Sequence, residues 1–96
     1  MEDGQYANGE KIMPHIEIYT KKTCPYCVRA KQLFDHKKVS YAEIAVHTDS
    51  AALEKMLQRS GGKRTVPQIF INNKSIGGCD DLYALNEAGK LDALLK

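Results

Sequence analysis

The chain contains no tryptophan, only two phenylalanines and only three prolines among its 96 residues. It also lacks an excess of either charge: fourteen Lys and Arg stand against twelve Asp and Glu, for a net charge of +2. The balance holds along the chain, because residues 1–48 and 49–96 each carry seven basic and six acidic side chains. With no basic block or stripe, nothing points to a nucleic-acid groove or a membrane-binding face. Long apolar runs are missing too; none exceeds a few residues, against the roughly 20 that a spanning helix needs. Disorder is equally excluded, since 43% of residues are hydrophobic and such a chain can bury a core. There is room for one small, compact domain.

Cysteine is scarce but informative. Cys24, Cys27 and Cys79 make an odd set with one close pair, which is a poor match to a secreted disulfide scaffold. The segment Met1–Gln5 is acidic and polar and does not read as a secretory signal. The expected compartment is therefore reducing and cytoplasmic, where a C-x-x-C pair is catalytic or metal-binding more often than structural.

Along the chain, residues 1–14 are polar, aperiodic and punctuated by Gly4, Asn8, Gly9 and Pro14, and are expected to form a flexible extension. Residues 15–96 then read as one domain. Ile16 and Ile18 alternate with more polar neighbours over His15–Thr20, which predicts a strand. Pro25 suits the first position of a helix running to about Lys37. Ser40–Val46 reads as a second strand with Ala42, Ile44 and Val46 on one face. Thr48, Asp49 and Ser50 offer caps for a helix to about Gln58 that buries Leu53, Met56 and Leu57, and Gly61-Gly62 ends it. Gln68–Ile71 and Lys74–Ile76, joined by Asn72-Asn73, predict a hairpin. Residues 80–95 read as helical with a break near Gly89. A right-handed crossover makes the first two strands parallel, and the Asn turn makes the last two antiparallel. The expectation is an α/β domain with a central four-stranded mixed sheet flanked by helices.

Cys24-Pro25-Tyr26-Cys27 sits where the first strand runs into the first helix. At the N-cap, unpaired N–H groups and the positive end of the helix dipole favour a thiolate at Cys24, and Lys21 and Lys22 add positive charge. Cysteines in such places have pKa values of about 3.5–7.5 instead of about 8.5. At a pKa of about 5, the thiolate fraction at pH 7 rises roughly 30-fold. With a Brønsted slope of about 0.45, intrinsic nucleophilicity falls roughly 40-fold, so the two nearly cancel. The net gain is in Cys24 as a leaving group, which suits a site that takes up and passes on thiol partners repeatedly. Cys27, one turn into the helix, is expected to face the core and act as the less acidic, resolving thiol. Zinc normally takes four ligands, and only Cys79, His36 and His47 are spare, so no metal is expected.

Two further motifs stand in the second half. Thr65-Val66-Pro67 by itself reads as a loop proline opening a strand. Gly77-Gly78-Cys79-Asp80-Asp81 reads either as a tight turn with an Asp cap or as an anion site at a helix start with a carboxylate beside it. Together with Lys21 and Cys24-Pro25-Tyr26-Cys27, in this order and spacing, these motifs resemble the dithiol glutaredoxins over about residues 15–96. Thioredoxin is less similar, since it carries Trp before the first cysteine and Gly-Pro between the pair.

The resemblance implies a thioredoxin-like fold and glutathione as co-substrate, with Cys24 as nucleophile and Cys27 as resolving thiol. It implies that Lys21 and Tyr26 line a glutathione groove, with Arg64 and Lys21 at the glycine carboxylate. The backbone of Thr65-Val66, before a cis Pro67, would pair with the tripeptide's cysteine. The helix start at Gly78, Cys79, Asp80 and Asp81 would hold the γ-glutamyl end. Cys79 is read as a buried structural thiol or a secondary redox site. The expected activity is reduction of protein–glutathione mixed disulfides and protein disulfides by a monomer that engages neither nucleic acid nor membrane. The alternative is a non-enzymatic module in which Cys24 ligates a glutathione-bound iron–sulfur cluster between two subunits. Pro25, which stiffens the site, argues against it.

Overall fold

The protein was analysed as a computed structural model that describes residues 14–95. The extension expected over 1–14 lies, Pro14 apart, outside the described residues. The elements follow in the order β1 (Ile16–Thr20), α1 (Pro25–His36), β2 (Ala42–Ala45), α2 (Ser50–Ser60), β3 (Gln68–Ile71), β4 (Lys74–Gly77), α3 (Cys79–Glu87) and α4 (Leu91–Leu94). The four strands form one mixed sheet in the order β2-β1-β3-β4. β1 pairs in parallel with β2 and antiparallel with β3, and β3 pairs antiparallel with β4. This is the thioredoxin-like architecture expected, and it makes β1 and β3 the inner strands.

Strand alternation sorts the core into two layers. Ile16, Ile18, Ile69 and Ile71 turn to one face and meet Ala30, Leu33 and Phe34 of α1, Leu82 of α3 and Leu91 of α4. Tyr19 and Phe70 turn to the other face, where Met56 of α2 and Val46 cover them. The rings of Tyr19 and Phe70 meet edge to face, 5.7 Å between centroids. With both faces covered, β3 is buried throughout its length.

The turns follow local chemistry. Asn72 and Asn73 both take positive φ, 52° and 68°, as a two-residue hairpin of the primed type requires. Asp49 caps α2, its carboxylate accepting the N–H groups of Ala51 and Ala52. Gly61 closes α2 at φ 76°, so the helix runs on through Ser60, two residues past its expected end. Residues 79–94 do break around Gly89, into α3 and α4. The expectation for β2 needs correction: Ile44 and Val46 pack inward, but Ala42 is exposed. β2 is an outer strand, and its first residue lies outside the apolar cluster that holds Ile44 and Val46.

One clamp was not anticipated. Arg59 of α2 sits over Phe70, its guanidinium carbon 4.0 Å from the ring centroid, and donates to Tyr19 Oη at 3.0 Å and Glu17 Oε1 at 2.7 Å. The Arg59 and Glu17 side chains are only 19% and 18% exposed. Arg59 thus fastens α2 to both inner strands through a charge-assisted bond and a cation–π contact, together worth roughly 2–4 kcal/mol. The bond to Arg59 also holds the Glu17 carboxyl below its ordinary value of 4.5. A carboxyl depressed on folding contributes stability above that value and loses it as pH falls through the lowered one. Glu17→Gln is therefore expected to lower stability at pH 7 and to flatten its decline as pH falls below about 4.5. Urea unfolding across that range checks this; an unchanged acid slope would contradict the clamp.

Candidate active site

β1 delivers the chain to the site, and the loop after it ends on the N-cap of α1. Cys24 has extended backbone angles, φ −139° and ψ 104°, and Pro25 fills the first helical position, where no N–H is needed. Cys24 Sγ accepts the Cys27 N–H at 3.3 Å, so the sulfur sits among the unpaired donors of the first turn. Developing negative charge on that sulfur is stabilised by those donors and by the helix dipole.

The two thiols of the pair are unequal. Cys24 is partly accessible, whereas Cys27 is 1% exposed on the core side of α1. Burial, then the hydrogen bond and charge of Cys24, push the Cys27 thiol up to about 12. At neutral pH it stays protonated. Cys79 is 4% exposed, and burial raises its pKa as well, with the Arg29 cation opposing.

Opposite α1, the Val66–Pro67 bond is cis. The Val66 carbonyl lies 3.8 Å from Cys24 Sγ and accepts from its thiol. The start of α3 closes the third side. Gly77 has φ 112°, and a side chain there would collide with the Asp81 carboxylate; a Cβ on Gly78 would stand 3.4 Å from the Pro67 carbonyl. Gly77 is thus required where β4 turns into α3, while Gly78 lies within ordinary contact distance of the proline loop. Asp81 accepts the Gly78 N–H at 2.9 Å and is committed to capping. Asp80 is exposed, and no hydrogen bond among the described residues occupies it.

These parts enclose a cleft of about 370 Å³. Of the residues singled out from the sequence, Tyr26, Thr65, Val66, Pro67, Gly78, Cys79, Asp80 and Asp81 line it. Lys21 and Arg64 are exposed and, like Cys24 and Cys27, are not among its lining residues; Cys24 stands at its edge through the Val66 carbonyl. Lys63 and Gln68 line it as well and were not anticipated. Nothing in the pattern separates Lys63 from Arg64. Gln68, a polar residue opening the apolar run Ile69-Phe70-Ile71, is a signal that could have been read. Among the described residues, Tyr26 and Val28 are the large hydrophobic side chains left exposed, at 55% and 46%, one within the cysteine pair and one directly after it.

The model of the glutaredoxin family matches residues 16–76. Over 84 residues the chain is 57% identical to Glutaredoxin 3 of Escherichia coli strain K12, covering 88% of this chain and 100% of that protein. The solution structure of glutaredoxin from Brucella melitensis is similar with a TM-score of 0.78 and 48% identity, over 92% of this chain and 95% of that one. A crystal structure of a buckwheat glutaredoxin–glutathione complex matches with a TM-score of 0.77 and 36% identity, over 85% and 76% of the two chains.

Burial separates the three thiols sharply enough to test. Brief iodoacetamide treatment of the fully reduced protein at pH 7 is expected to alkylate Cys24 and to leave Cys27 and Cys79 unmodified until the protein is unfolded. Peptide mass spectrometry reads the result. Labelling of Cys27 at a rate comparable to Cys24 would reverse the assignment of the exposed and buried members.

Proposed function

The chain belongs to the glutaredoxin family, and on that premise we propose a glutathione site built on the cleft and a reaction cycle centred on Cys24. The protein is a glutathione-dependent thiol–disulfide oxidoreductase that works through Cys24 and Cys27. The observation that carries the site proposal is the Cys24 sulfur itself, held on the N-cap of α1 and facing the Val66 carbonyl before Pro67.

The Cys24 thiolate attacks the glutathione sulfur of a protein–glutathione disulfide. A sulfur–sulfur bond forms to Cys24, the old one breaks, and the protein thiolate leaves and takes a proton. A second glutathione thiolate then attacks the glutathione held on Cys24. Glutathione disulfide departs and the Cys24 thiolate is restored. Net, one free glutathione is consumed: the protein sulfur is reduced to a thiol, and the glutathione from the substrate leaves joined to the free one as glutathione disulfide. With a protein–protein disulfide, Cys27 instead attacks the mixed intermediate and leaves a Cys24–Cys27 disulfide for glutathione to reduce. Bonding of Cys24 to a partner removes two of the causes that keep Cys27 protonated.

Glutathione has two carboxylates and one ammonium, and the cleft offers complements to each. The Val66 N–H and C=O suit an extended cysteinyl unit, as an edge strand does. The helical bond from Leu82 N–H to the Gly78 carbonyl is the first of α3, which leaves the N–H groups of Cys79 and Asp80 for the γ-glutamyl carboxylate. Asp80 takes the ammonium, since Asp81 is occupied. Lys63 lies in the lining beside exposed Arg64, and exposed Lys21 stands in the loop before Cys24; these cations meet the glycine carboxylate. Tyr26 covers the sulfur end.

The partners are glutathionylated or disulfide-bonded proteins, met by a monomer in the cytoplasm. No helix among the described residues is long and apolar enough to cross a membrane. The iron–sulfur alternative is disfavoured by Pro25, which fixes the backbone beside the ligand cysteine, and featureless visible absorbance after oxygen-free purification is the matching expectation.

Cys24→Ser is expected to abolish turnover on both substrate types. Cys27→Ser should keep or raise activity on glutathionylated substrates, because attack by Cys27 there is a side branch. The same variant should largely lose reduction of protein–protein disulfides, where the intramolecular thiol has a large effective-concentration advantage. Equal loss of both activities would replace this cycle with a purely dithiol one. Asp80→Asn should raise KM for glutathionylated substrate roughly tenfold, as expected for one solvent-screened charged hydrogen bond at the low end of about 1.5–3 kcal/mol, and an unchanged KM would remove Asp80 from the site.

A further inference from the structure

Gln68 opens β3 and is 1% exposed, an amide sealed beneath the loop that faces Cys24. Its Nε2 donates to the Thr65 carbonyl at 3.0 Å and to Thr65 Oγ1 at 3.1 Å. The carbonyl accepts only, so it fixes which end of the amide points to Thr65. Oε1 points elsewhere, and it is the one buried side-chain nitrogen or oxygen without a hydrogen-bond partner among the described residues. An unpaired buried acceptor destabilises the fold, whereas an apolar side chain of similar shape does not. Packing alone does not account for an amide at this position.

The hydrogen bonds of Gln68 span Val66 and Pro67. They tie the end of that short segment back to its beginning, and between the two anchors stands the Val66 backbone that faces Cys24. Among the described residues no backbone hydrogen bond engages the Val66 N–H. Its direction therefore depends on how firmly Thr65 is held.

We propose that Gln68 is a positioning residue that presets the Val66 N–H and C=O for the cysteinyl unit of glutathione; this rests on the glutathione site described above. A preset backbone loses less freedom when the ligand arrives. The effect therefore falls on capture of glutathionylated substrate, not on sulfur–sulfur exchange once Cys24 has engaged.

Gln68→Met tests this, since it keeps the length and buries readily but cannot donate. Its Tm should equal or exceed that of the wild type. KM for a glutathionylated peptide should rise roughly tenfold, as the loss of two neutral hydrogen bonds predicts, with kcat within about twofold. Attack on cystamine, a disulfide without γ-glutamyl or glycyl ends, should change far less. A lower Tm with an unchanged KM would make Gln68 structural and overturn the proposal. Wild-type protein that reacts no better with the glutathionylated peptide than with cystamine would instead overturn the glutathione site. A measurement on the wild type covers the case of a variant that does not fold. The Gln68 side-chain NH₂ protons should exchange slowly with solvent and shift when reduced glutathione is added. Exchange at the rate of a free amide would contradict the proposal.

Discussion

The placement of one sulfur at one helix end organises this molecule. Cys24 has to stand on the N-cap of α1, with its sulfur among donors that no helical carbonyl uses, and it has to face a backbone segment able to hold a thiol-bearing peptide. Both demands fall on the two inner strands. β1 carries the chain to Cys24, and β3 begins immediately after Pro67. Because β1 and β3 are paired, with Tyr19 opposite Gln68, the loop before β3 and the loop after β1 are held at the same end of the sheet. The core layers and the Arg59 clamp keep that pairing rigid, and so set the distance between Cys24 and Val66.

The chemistry that follows is an inequality between neighbours. Cys24 is accessible and lies at the positive end of the helix, whereas Cys27 is buried and its pKa is pushed up to about 12, first by burial and then by Cys24 itself. The resolving thiol is thus held in reserve beside the free Cys24, and it becomes easier to ionise once Cys24 is bonded to a partner. Cys79 stands apart, buried near the same cleft with a raised pKa. Burial there suits a structural thiol better than a second redox centre.

Much of this was legible in the sequence because it is local. Alternation marked β1 and β3, the Asn pair marked the hairpin, Asp49 and Gly61 marked the ends of α2, and the cysteine spacing at a strand-to-helix junction marked the reacting pair. What stayed hidden depends on contacts between distant segments. Arg59 reads as a solvated helix residue until β1 and β3 place Glu17, Tyr19 and Phe70 beneath it. Ala42 fits an inward-facing pattern, but it stands exposed at the start of an outer strand. Lys38 takes φ 61° where glycine is the usual choice, closing α1 through the Val39 N–H to Phe34 carbonyl bond, and nothing in its own identity announces that. Asp80 and Asp81 look interchangeable on paper, and only the Gly78 N–H separates the cap from the open carboxylate.

The central claim is that a peptide thiol bonded to Cys24 lies along the Val66 backbone with its charged ends at opposite rims of the cleft. The most direct measurement is a structure of Cys27→Ser trapped with glutathione disulfide. The account predicts a single glutathione bonded to Cys24, its cysteinyl unit paired with Val66, its ammonium at Asp80 and its glycine carboxylate on the side of Lys63 and Arg64. A glutathione bonded to Cys79, or one bonded to Cys24 but lying outside the cleft, would contradict it.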